Sequence, residues 1–109
     1  MLELVKKIVD SNEWLSGLAD YREGDLMALV NQSEKFEREP TEYTDLVKLF
    51  HDLKNYEGVY KYRNLLFFND MQYGCFVYDV NQPDSYVEHL SINAMSLESF
   101  IKTVNSLIR

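Results

Sequence analysis

At Gly58 the chain changes its hydrophobic period, and that change constrains the fold more than any other feature. Before it, apolar residues recur every three or four positions. After it, they crowd into runs bounded by polar turns. The first spacing puts apolar side chains on one face of a helix, and the second is that of strands. Tyr73 to Val80 is the sharpest case. In a strand, Cys75 and Val77 would point to one side and Phe76, Tyr78 and Val80 to the other. Both faces then need cover, as in a central strand.

The elements follow in order. Residues 2 to 15 predict an amphipathic helix with Leu2, Val5, Ile8, Val9 and Leu15 on its apolar face. Gly17 and the polar run from Asp20 to Asp25 end it. Leu26, Leu29, Val30 and Phe36 predict a second helix beginning near Asp25. Pro40 stands just inside or before a third, with a stripe of Tyr43, Leu46, Val47, Phe50 and Leu53. Lys54 suits the negative end of that helix, and Asn55 and Gly58 stop it. Val59 to Phe68 predicts a first strand, Tyr73 to Val80 a second and Ser85 to Ile92 a third. The turns between them are Asn69 to Gln72 and Asn81 to Asp84. Two short turns between three strands predict an antiparallel meander. Ser96 is a good N-cap for a last helix whose apolar face is Leu97, Phe100, Ile101, Val104, Leu107 and Ile108. The class expected is α+β: N-terminal helices, an antiparallel β-meander of three or more strands, and a C-terminal helix packed on the sheet.

A chain of 109 residues is the size of one domain, 1–109. Its hydrophobic share of 46% is too high for a disordered segment. Cys75 is the only cysteine, so no intrachain disulfide forms, as expected for a protein of a reducing compartment such as the cytoplasm. The first residues lack the apolar run of a secretory signal, and no stretch nears the roughly 20 apolar residues that span a bilayer.

Net charge is −7, unevenly spread. Residues 1 to 57 carry 13 acids and 7 bases; residues 58 to 109 carry 5 acids and 4 bases. Such a surface repels nucleic acid and anionic membranes and attracts basic partners. Acids concentrate at Glu34, Glu37, Glu39, Glu42 and Asp45, partly offset by Lys35 and Arg38. These carboxylates, expected at the surface, are the candidate partner-binding residues. Tyr60 and Tyr62 join them, because tyrosine is favoured at protein interfaces and strand alternation leaves some rings on a less buried side. Ordinary strand propensity accounts for the same tyrosines, and solubility for the same acids.

No enzyme signature emerges. Cys75 with His51 or His89 would need an exposed, electropositive thiolate, and Cys75 lies in an apolar strand. His51 and Asp52 diverge on a helix, and Glu88 and His89 point to opposite faces of a strand, so neither pair predicts a metal site. Asp70, Asp79 and Asp84 are turn residues by position. No phosphate-binding glycine loop is present, so no catalytic residue, cofactor or metal is expected.

Residues 64 to 108 resemble the C-terminal half of the SUKH superfamily. The residues that carry the resemblance are Asn64-Leu65-Leu66-Phe67-Phe68, the run Tyr73-Gly74-Cys75-Phe76-Val77-Tyr78-Asp79-Val80, and a helix with Leu97-Glu98-Ser99-Phe100-Ile101. Many bacterial members of that superfamily look like immunity proteins against secreted toxins, often nucleases. The resemblance implies an immunity protein that binds a toxin, and it transfers no functional residue; from the acidic charge the expected protein partner is a basic toxin domain, met as monomer or homodimer. A small acidic secretion or assembly chaperone, and an enzyme with an unrecognised site, are the alternatives.

Overall fold

The computed structural model describes residues 1–11, 39–71 and 74–108. The chain divides into two compact units, Met1–Pro40 and Thr41–Arg109.

In the first unit, helix α1 runs from Leu2 to Ser11. Val5 and Ile8 are buried, as their spacing predicts. Glu39 accepts a hydrogen bond from the Leu2 amide at 3.2 Å and lies 3.9 Å from the Met1 amino group. That acid complements the positive end of α1. Leu15 and the expected second helix lie outside the described residues.

The second unit is α+β. Strand β1 (Thr41–Glu42) is followed by helix α2 (Leu46–Asn55) and strands β2 (Gly58–Tyr62), β3 (Leu65–Asp70), β4 (Gly74–Asp79) and β5 (Glu88–Leu90). A 3₁₀ turn (Ile92–Ala94) leads into helix α3 (Leu97–Leu107). The sheet order is β1-β2-β3-β4-β5. The last four strands form the antiparallel meander, and β1 adds in parallel beside β2.

Three elements differ from the sequence reading. The helix after Pro40 starts later, because Thr41 and Glu42 pair with Tyr60 and Lys61 instead. The Tyr43 amide then donates to the Lys61 carbonyl at 2.8 Å. Asp45 is the N-cap, its carboxylate accepting from the Val47 amide at 2.9 Å. Tyr43 therefore lies outside α2, and Val47 is exposed. The single strand expected from Val59 to Phe68 folds as β2 and β3 around Arg63 and Asn64. Arg63 takes a left-handed φ of 53°, which neither glycine nor proline announces. Its guanidinium lies over the Tyr62 ring, 5.5 Å from the centroid. The third expected strand contracts to Glu88–Leu90, because the chain turns into the 3₁₀ segment after it.

Alternation places Tyr60, Tyr62, Leu65, Phe67, Cys75, Val77 and Leu90 in one core with Leu49, Phe50 and Leu53 of α2 and Phe100 and Val104 of α3. Ser96 caps α3 as its sequence predicts, accepting from the Ser99 amide at 3.1 Å. Phe100 is fully buried, its ring 4.8 Å from that of Phe50 and 6.3 Å from that of Phe67. The opposite face of the sheet carries Leu66, Phe68, Phe76 and Tyr78, all buried. Strands β3 and β4 are thus apolar on both faces, which is what their continuous hydrophobic runs require.

Candidate functional site

The acidic residues divide by what their carboxylates already hold. Glu39 is engaged with the start of α1 yet keeps 62% of its side chain exposed. Glu42 is equally open at 65% and meets the Lys61 ammonium at 3.2 Å. An exposed pair of this kind contributes little stability. Asp45 has a structural task, since it caps α2. Glu34 and Glu37 lie outside the described residues.

Tyr60 and Tyr62 belong to the core, each 8% exposed, so little of either ring is open to a partner. The Tyr60 hydroxyl donates to the Tyr56 carbonyl at 3.0 Å. Among the described residues the open tyrosines are Tyr56 on the loop after α2 and Tyr86 before β5. Tyr86 packs edge-on against Phe76, with ring centroids 5.2 Å apart.

Below Tyr60 lies a polar cluster that the sequence does not announce. The Tyr43 hydroxyl donates to the Asp52 carboxylate, and the Tyr43 and Tyr60 rings meet edge to face at 5.7 Å. Burial, then the bond to Asp52, pushes the Tyr43 hydroxyl well above its ordinary range. Burial, then the charge of Asp52, pushes Tyr60 up to about 12. By sequence Asp52 is weighed only beside His51, as a metal pair that is rejected, and nothing local links Asp52 to Tyr43.

Cys75 is wholly buried, and burial alone pushes its thiol well up. It faces the α2–α3 core and pairs across the ladder with Leu90. His89 pairs with Phe76 on the other face and stacks on it at 4.5 Å. His51 is exposed on α2. Neither histidine is brought to Cys75 as a nucleophile–base pair would need. Asp70 and Asp79 end β3 and β4 and are both buried, and Asp79 also accepts from the Asn81 amide at 2.9 Å, as an aspartate beside a turn does. Among the described residues no three His, Cys, Asp or Glu groups converge as a metal site would need.

The two tyrosines and the thiol give an alkaline signature. Each group has a folded-state pKa above its ordinary value, 10.0 for the tyrosines and 9.0 for the cysteine. Above those values the unfolded chain loses protons that the folded chain keeps, so stability falls with rising pH. The contribution is complete below pH 9 and is lost as pH climbs through the folded-state values. Urea midpoints measured from pH 8 to pH 11 should fall above pH 9. Tyr43→Phe should flatten part of that decline, and an unchanged midpoint would mean these groups are solvated.

Comparison of the chain with protein-family models, with curated proteins and with solved structures finds no match.

Proposed function

We propose that this α+β chain is an inhibitor of the immunity type, which neutralises a bacterial toxin by direct contact through its acidic side. The observation that carries this reading is that the carboxylates of Glu39, in the first unit, and Glu42, in the second, are each open to solvent, in the half of the chain that holds most of the net negative charge. Exposed acids attract a basic groove from a distance and speed encounter, and the exposed pairings that Glu39 and Glu42 already make contribute little to the fold. The resemblance of residues 64 to 108 to the SUKH superfamily points the same way. Toxins of the nuclease kind present such basic grooves, and a cytoplasmic inhibitor would meet the toxin where it acts.

The test begins with affinity capture of the partner from the source cells. Its association rate is then measured by stopped flow at two salt concentrations. Glu37→Lys, Glu39→Lys and Glu42→Lys together should slow association by roughly tenfold to a hundredfold, and the wild-type rate should fall steeply with salt. Asp45 is left in place, because its loss would cost about 1 kcal/mol as a helix cap and blur the comparison. A rate indifferent to both salt and reversal would move recognition to Tyr56 or Tyr86 and reduce the acidity to solubility.

A further inference from the structure

Met71 follows the last residue of β3 and is 42% exposed. Its amide donates to the Glu57 carboxylate at 3.2 Å, which ties its backbone to the loop that leaves α2. Its sulfur lies 3.9 Å from the side-chain nitrogen of Asn69, a residue only 6% exposed. An open thioether, the one side-chain group of methionine that oxidises, is thereby set against a buried amide.

That amide has no hydrogen to spare. Asn69 Nδ2 donates to the Leu53 carbonyl at 2.8 Å and to the Tyr56 carbonyl at 2.7 Å. Both neighbours only accept, so the nitrogen faces them and its two hydrogens are committed. A thioether is a weak acceptor and competes little for them. A sulfoxide is polar, and its oxygen accepts but cannot donate. Met71, Asn69, Leu53 and Ile92 border a cavity of about 220 Å³, which leaves room on that side for one more oxygen. There it competes with two carbonyls for hydrogens that Asn69 cannot add.

We propose that Met71 is a site of reversible oxidation by hydrogen peroxide, and that its sulfoxide competes for the Asn69 amide and loosens the C-terminal end of α2. A lone pair of the sulfur attacks one peroxide oxygen, the O–O bond breaks and an S–O bond forms. The sulfur gives up two electrons and the peroxide takes them. The second oxygen leaves as water, carrying both peroxide protons. The modification is independent of the acidic stretch at residues 34–45 and of the inhibitor reading.

The experiment treats the ¹⁵N-labelled full chain with hydrogen peroxide and locates the added oxygen by peptide mass spectrometry. Met71 should oxidise faster than Met95, which is half-buried against the core. The Asn69 side-chain amide signals should move in step with Met71 sulfoxide. Hydrogen exchange of the Tyr56 amide, which closes α2 on the Asp52 carbonyl, should speed up by about tenfold, the factor that one ordinary hydrogen bond is worth. The two methionine sulfoxide reductases, one for each epimer, should together restore both signals. Met71→Leu conserves volume at an open position and keeps Met1, Met27 and Met95, so damage at those residues is common to both proteins. In that variant peroxide should leave the Tyr56 exchange rate unchanged. Slower oxidation of Met71 than of Met95 overturns the proposal. So does a Met71 sulfoxide that moves neither the Asn69 signals nor the Tyr56 exchange, or an equal acceleration in Met71→Leu.

Discussion

Replacing Phe100 by alanine should lower the unfolding free energy by about 3 to 5 kcal/mol, the usual range for a fully buried phenylalanine. The ring is 0% exposed and lies between Phe50 of α2 and Phe67 of β3. It joins three elements, so its removal leaves a void that none of them can fill by a small movement. Total stabilities of single domains are about 5 to 15 kcal/mol, so this loss would bring the protein near its folding threshold. Urea denaturation is the measurement, with the midpoint falling and the slope unchanged. Lys102→Ala, on the exposed side of the same helix, should change stability by no more than about 0.5 kcal/mol. A midpoint that moves equally little in both variants would mean that α3 is not docked through Phe100.

Asn69→Ala should cost about 2 to 3 kcal/mol, although it deletes far less apolar volume. Asn69 satisfies two carbonyls at the C-terminal end of α2, where helix carbonyls lack intrahelical partners. The Tyr56 carbonyl keeps a bond from the Tyr60 hydroxyl, but the Leu53 carbonyl loses its side-chain donor in a buried place. Asn69→Asp distinguishes this account from simple loss of packing. A carboxylate facing two carbonyls is repelled, so its folded-state pKa rises above the unfolded value of about 3.9. With that sign, stability is highest when the acid is protonated and is lost as pH rises through the folded pKa. The Asp variant should therefore be less stable than Asn69→Ala at pH 7 and close on it as pH falls toward 4. Parallel pH profiles for the two variants would show that the carbonyl bonds contribute nothing.

Local patterns in the sequence carried the C-terminal helix and the interior character of β4. Ser96 and the three-and-four spacing of Phe100, Ile101 and Val104 are short-range facts, and a helix cap and an apolar face are short-range structures. Alternation likewise sorted Cys75 and Val77 from Phe76 and Tyr78 without knowledge of any partner strand. The order of helices, strands and helix was enough for the α+β class.

What remained hidden depends on residues far apart in the chain. The turn at Arg63 and Asn64 has no glycine or proline to mark it, and apolar residues continue on both sides, so Val59 to Phe68 reads as one strand. Its left-handed residue is tolerated because Tyr62 pairs with Leu65 across the turn. Thr41 and Glu42 become a strand only because β2 presents a free edge beside them. Tyr60 and Tyr62 suit an interface or a core equally well by composition, and the packing of α2 and α3 over that face placed them in the core. Asn69 reads as a turn residue, yet its position at the end of β3 sets it below the last carbonyls of α2. The sequence determined which residues want to be in helices, in strands and out of water, because those preferences act between near neighbours. The tertiary structure alone decided which polar groups meet, because a hydrogen bond between Asn69 and Leu53 exists only once the sheet and α2 are in place.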